Sequence, residues 1–211
     1  MRIGVGAKAR GTGFIVRVES GAIDILTALH VVADLAASRA SRTPVWHEVS
    51  AQVQLGSGEI ITVPLGTQGS RSSIDQDWAL LRFEGALPSP VVPLRLAGLE
   101  SRPHARKWQT FGYSDAAPDA GEPHSGDIED ERGNVIYLFD KQGASGTGGF
   151  LSGCSGAPCI VEGHVVGIIV EALQRKEKER KAQSIHGAVF ALRIEAVAVE
   201  CGLKDRAARP T

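Results

Sequence analysis

Ser152-Gly153-Cys154-Ser155-Gly156-Ala157-Pro158 stands between a glycine-rich approach (Gly143, Gly146, Gly148, Gly149) and an apolar run, Cys159-Ile160-Val161. Glycines on both sides of a serine let the backbone turn sharply and leave room for another molecule to reach the hydroxyl. If the amides of Gly153 and Ser155 point the same way, they form a pocket for a developing oxyanion beside Ser155 Oγ. A Gly-Ser-Gly turn is also common in ordinary loops. The stretch gains chemical meaning only with a histidine base and a buried carboxylate elsewhere in the chain.

Downstream, Cys159–Val161 and Val165–Val170 flank the tight turn Glu162-Gly163-His164, and Gly187–Leu192 reads as a last strand. Arg193–Cys201 has helical spacing and ends at Gly202, a helix-stop signal. The charged run Arg175–Lys181 reads as a solvated loop, or else as a lip over a cleft. Upstream, Lys107–Tyr113, Asp127–Glu131 and Asn134–Asp140 read as strands, with Arg132-Gly133-Asn134 as a hairpin turn. Val91–Leu96 is a short apolar run, and the polar residues 98–106 are the best linker. Further back, Gly11–Val18 and Ala22–Thr27 read as a pair of strands. His30 falls where the second gives way to a helical turn. Residues 36–44 read as a polar loop, and Val45–Leu55 and Glu59–Leu65 as strands. Asp77 directly precedes the apolar strand Trp78–Phe83, where a carboxylate can be buried at the strand mouth and then has to be hydrogen-bonded or paired. Asp75 is the competing carboxylate, in a more loop-like setting.

Composition narrows the classes. With 43% hydrophobic residues in 211 the chain can bury a core, and 25 glycines suit short strands and tight turns. A formal net charge of −1 argues against an electrostatically driven nucleic-acid binder. The first ten residues lack the apolar stretch of a secretory signal, and no apolar run approaches a membrane span. Three cysteines without framework spacing point to free thiols in a reducing, cytoplasmic compartment. The six histidines show no paired ligand spacing, so no metal or other cofactor is expected.

About a dozen short strands with evenly spaced turns point to an all-β chain of barrels or sandwiches. Taken singly, His30 fits a half-buried imidazole with a hydrogen-bond partner, Asp77 a polar strand-starter and Ser155 a turn. Taken together they supply a nucleophile, a base that titrates near neutrality (an unperturbed imidazole has a pKa of ~6.5) and a carboxylate to hold the base's tautomer.

The words around these residues resemble those of trypsin/chymotrypsin-like serine peptidases. Gly11-Thr12-Gly13-Phe14 with Leu26-Thr27-Ala28-Leu29-His30-Val31-Val32 is similar to the "GTGF…LTAxHV" pattern. Asp77-Trp78-Ala79-Leu80-Leu81 is similar to "D-x-A-L-L", and Gly153–Pro158 to "G-x-S-G-x-P". The resemblance spans roughly residues 11–203 and is nearest to compact bacterial members without disulfides.

It implies two antiparallel six-stranded β-barrels with a C-terminal helix. Residues 1–97 would carry His and Asp, residues 98–106 would be the linker, and residues 107–211 would carry Ser. It implies a serine endopeptidase working through His30, Asp77 and Ser155 by an acyl-enzyme, with the amides of Gly153 and Ser155 as the oxyanion hole. The primary specificity pocket would be floored near Gly149, with walls from Val170, Glu171, Ala172 and Ala188. The 170–172 segment would pair with a peptide or protein substrate as an added strand. No Asp or Glu stands at the floor, so an uncharged, small-to-medium apolar side chain is expected there, with Glu171 as the residue most able to upset this.

Two departures matter. The usual Ser-Trp-Gly of the substrate strand reads Val170-Glu171-Ala172. Cys154 stands where activatable secreted relatives carry an Asp that pairs with a newly cut amino group. A neutral thiol cannot do that, so the oxyanion loop is expected to be ordered by its own packing or by a regulatory partner. The rival readings are a catalytically silent module of the same fold and an unrelated esterase. The esterase would place its serine in Gly-x-Ser-x-Gly on a strand–helix elbow, which Gly156-Ala157-Pro158 does not match.

Overall fold

The computed structural model describes residues 1–6, 8–19, 21–86, 90–99, 107–114, 117–145, 153–174 and 184–203. The N-terminal half forms β1 (Arg2–Val5), β2 (Lys8–Glu19), β3 (Ala22–Ala28), α1 (Leu29–Val32), α2 (Leu35–Ser41), β4 (Ser50–Gln54), β5 (Ile60–Pro64), β6 (Arg71–Ser73) and β7 (Trp78–Glu84). Its strands make one antiparallel sheet in the order β5-β4-β1-β2-β3-β7-β6. Strict alternation in β4 and β5 turns Ala51, Val53, Ile61 and Val63 inward. The sheet curls so that these residues join Ile3, Ile25 and Leu81 in one cluster. β3, flanked by β2 and β7, has all seven residues buried.

The C-terminal half closes fully. β8 (Lys107–Gly112), β9 (Glu122–Arg132), β10 (Val135–Asp140), β11 (Pro158–Val161), β12 (His164–Gln174) and β13 (Ser184–Arg193) form a six-stranded barrel in the order β10-β13-β12-β11-β8-β9. The short α3 (Lys141–Ser145) follows β10, and α4 (Ile194–Cys201) follows β13 and ends on Gly202 in the left-handed conformation. A second cluster joins the halves: Phe14, Leu26, Trp78 and Leu80 of the sheet meet Val165, Ile168 and Leu192 of the barrel and Ile194, Val197 and Cys201 of α4.

The all-β expectation holds; of the two six-stranded barrels expected, the second is a closed six-stranded barrel, and the first is a curled sheet of seven strands. Three local readings change. Most of residues 36–44 is helix, because Asp34 caps α2 by accepting the Ala37 N–H at 2.9 Å in an alanine-rich segment, and Arg42 ends it at φ 58°. Residues 45–49 are not strand: Trp46 makes only an isolated bridge to Ala33 and lies where a Cβ on Gly66 would stand. β9 begins five residues before the expected Asp127 and so takes in His124. Most of the expected linker, residues 100–106, and the charged run Arg175–Lys181 lie outside the described residues.

Candidate active site

His30 is the second residue of α1, the single turn into which β3 runs. Asp77 directly precedes β7, the strand beside β3, so the strand pairing brings the two residues together. Asp77 Oδ2 lies 2.7 Å from His30 Nδ1, and Oδ1 accepts the His30 backbone N–H at 2.9 Å. The Asp77 carbonyl accepts the Leu29 N–H at 3.1 Å. Three contacts to α1 hold Asp77 at φ +58°, a conformation that non-glycine residues adopt only when their surroundings fix it. The carboxylate therefore fixes both the place of the imidazole and which ring nitrogen faces away from it.

Ser155 lies on a turn between Gly153 (φ +92°) and Gly156 (φ +85°). Gly156 has no room for a side chain, since a Cβ would stand 2.1 Å from the Thr12 carbonyl and 2.3 Å from Thr27 Oγ1. The Gly156 N–H donates to the Ile169 carbonyl at 2.7 Å, which fastens the turn to β12. Thr12 fastens it to the first sheet. Its N–H donates to the Ser155 carbonyl at 2.9 Å and its Oγ1 donates to the Gly153 carbonyl at 3.1 Å, while the same Oγ1 accepts the Tyr113 N–H at 3.0 Å. Thr27 Oγ1 in turn donates to the Thr12 carbonyl at 2.7 Å. Gly11 is needed for this approach, because a Cβ there would meet Val31 and the Ser155 carbonyl.

Cys154 is fully buried in the barrel core with Ala157, Cys159 and Val189. Its Sγ would lie 2.6 Å from a Cβ on Gly112. The three cysteines form no disulfide, and burial pushes the Cys159 and Cys201 thiols up to about 12.

His30, Asp77 and Ser155 line one cleft of about 590 Å³ between the two sheets, together with Leu35, Arg39 and Val170. Of the other expected site residues, Glu171 and Ala172 continue β12, and their side chains lie outside the described set. Ala188 stands half-buried on β13 opposite Phe139. Gly149 lies outside the described residues. β11 pairs with β12 only from His164 to Ile168, so among the described residues no strand covers that side of β12 at 170–174. No group of metal-binding side chains occurs among the described residues.

The family model of the trypsin-like peptidase domain matches residues 11–168, more than half of the chain. The chain belongs to the trypsin-like peptidase family.

Among solved structures, kallikrein-related peptidase 10 is similar at 15% identity and TM-score 0.62, over 97% of this trypsin-like domain and 94% of that chain. The HtrA-type protease AlgW with decapeptide is similar at 15% identity and TM-score 0.59, over 92% of this domain. The domain spans 51% of the length of that protease. Likeness at this identity establishes the shared fold. No curated protein matches the sequence.

Two parts of the site escaped the sequence reading. Thr12 was visible only as a word in a glycine-rich motif; the cue to its role is that both flanking glycines are needed for close approach, Gly13 to Ile3 and Gly11 to Val31. Leu35 and Arg39 reach the cleft because α2 is a helix, which places residues four apart on one face.

Proposed function

We propose that this trypsin-like domain is a serine endopeptidase with Ser155 as nucleophile, His30 as general base and Asp77 as the group that orients His30. The observation that carries it is the carboxylate-held imidazole sharing one cleft with a serine on a glycine-flanked turn. Ser155 Oγ attacks the scissile carbonyl carbon while His30 takes its proton. The Gly153 and Ser155 amides receive the oxyanion. As the C–N bond breaks, His30 returns the proton to the leaving amine, and water then hydrolyses the acyl-enzyme by the same route. No cofactor enters these steps.

The substrate is a peptide or protein bound as an extended strand along the open side of β12 at Val170, Glu171 and Ala172. By the family resemblance, Gly149 would floor the pocket for the residue before the cut and Ala188 would wall it. On that reading the residue is small to medium and apolar, because the sequence has no Asp or Glu at the expected floor to pair with a Lys or Arg, with Glu171 the one carboxylate able to turn inward. A peptide-library profile dominated by cleavage after Lys or Arg would overturn this preference. Free buried thiols are the ground for placing the protein in the cytoplasm, where cleavage is restrained by narrow specificity or a partner. The functional division is residues 1–97 for base and carboxylate and 107–211 for the nucleophile, joined by 98–106.

A phosphonate probe tests the assignment. It is expected to label the wild-type protein and not Ser155→Ala, with both folded. A wild-type protein that never labels indicates the silent binding module instead.

A further inference from the structure

A second histidine–aspartate pair closes one end of the C-terminal barrel. His124 of β9 and Asp140 at the end of β10 have fully buried side chains, with Nδ1 and Oδ2 3.2 Å apart. His124 Nε2 has no hydrogen-bond partner but lies 3.5 Å from Glu122 Oε1, at ion-pair distance. The imidazole thus stands between two carboxylates.

Each carboxylate leads to one end of the segment that carries Ser155. Asp140 accepts the N–H groups of Gln142 at 3.2 Å and Gly143 at 3.0 Å, so it starts α3, by which the chain leaves β10 toward Ser155. The packing there is close: a Cβ on Gly143 would stand 2.7 Å from Asp140 Oδ2, and one on Gly187 2.5 Å from the Asp140 carbonyl. On the other side Glu122 accepts from Ser114 Oγ. The neighbouring Tyr113 N–H donates to Thr12 Oγ1, which holds the Gly153 carbonyl.

We infer that His124 is a positioning residue for the oxyanion loop: as an imidazolium between Asp140 and Glu122 it ties together the two ends of the Ser155 segment, and loss of its proton loosens them. This rests on the peptidase reading above only for its effect on rate. The charged imidazole meets both carboxylates. The neutral one leaves the fully buried Asp140 carboxylate without a cation among the described residues, which is costly away from water.

Among the described residues the charged groups around His124 are few. β9 contributes Glu122 and β10 contributes Asp140. β8 faces it with Thr110, an uncharged residue, and the β8–β9 turn with Ser114, which serves Glu122. Lys107 and Lys141 both turn to Asp127, and β13 brings Gly187 and Ala188 to this end. Burial pulls the His124 pKa down, but the hydrogen bond and charge of Asp140, with Glu122, outweigh it and hold the group above its ordinary value. Because the folded value is raised, the tie is fully present below the ordinary pKa of ~6.5 and is lost as pH rises through the raised value. His124 therefore has to keep its proton for the loop to stay tied, and the tie sets an upper limit of pH.

Amide hydrogen exchange at Gly143 and Tyr113, corrected for the intrinsic effect of pH, tests the inference on the whole chain. Between pH 6 and pH 9 protection at both amides is expected to fall by about tenfold with one midpoint, while Ile25 and Leu81 keep theirs. Phosphonate labelling is expected to decline at the same midpoint. In His124→Gln, which cannot be charged, protection no longer changes with pH. If that variant does not fold, the wild-type profile decides alone. Protection that is flat with pH at Gly143 and Tyr113 overturns the inference whatever labelling does. A pH-dependent tie in a protein that never labels upholds the tie and removes the peptidase reading.

Discussion

His30–Asp77 and His124–Asp140 are built from the same two side chains at similar separations, 2.7 and 3.2 Å. His30 and Asp77 are 33% and 16% exposed and open on a cleft with Ser155; His124 and Asp140 are wholly shut in. On the proposed mechanism a proton taken up by His30 can pass to a leaving group, whereas one on His124 stays between two carboxylates. Access to water and to a nucleophile, more than the identity of the pair, would then separate catalysis from positioning. The aspartates are also held differently. Asp77 accepts the backbone N–H of its own histidine, so carboxylate and imidazole move as one piece; Asp140 accepts the N–H groups of the segment it has to hold.

The largest test of that contrast is Asp77→Asn against Asp140→Asn. The first keeps an oxygen to accept the His30 N–H, so the fold survives, but it favours the wrong tautomer. The rate is expected to fall ~10⁴-fold, the loss general to a Ser-His-Asp triad whose imidazole is held in the wrong tautomer. Asp140→Asn is expected to cost no more than ~10² in rate, acting through loop order. Equal losses in a steady-state peptide assay would abolish the distinction.

A smaller effect sharpens the account of how the Ser155 loop is ordered. Gly112→Ala places a Cβ 2.6 Å from Cys154 Sγ and 3.1 Å from its Cβ, so the Ser155 loop has to shift. The expected result is a rate loss of ~10²–10³ with a Tm lower by several degrees. Gly56→Ala, which meets nothing within 4 Å, is the control. An unchanged rate in Gly112→Ala would show that packing around Cys154 does not set the loop.

The sequence carried the parts of the site that are local in the chain. His30 at a strand-to-helix change, Asp77 ahead of an apolar strand and Ser155 among glycines each sit beside a pattern that a short window reveals. What escaped depends on contacts across the fold. Thr12 acts on Gly153 and Ser155 more than a hundred residues away, and Gly112 matters because Cys154 packs on it. His124 was lost for a nearer reason: β9 has Glu122 and Pro123 at its start, and this polar, proline-containing opening hides a strand whose alternation turns His124 inward. Segment 36–44 was misread because serines and arginines outweighed the Asp34 cap.

The central claim is that Ser155 is an activated nucleophile, and the most direct measurement is peptide mass mapping after exposure to a phosphonate probe near neutral pH. The account predicts one adduct, on Ser155, that disappears in Ser155→Ala and in His30→Ala while both variants keep the wild-type circular dichroism. An adduct that persists in folded Ser155→Ala, or a wild-type protein that stays unlabelled, would contradict it.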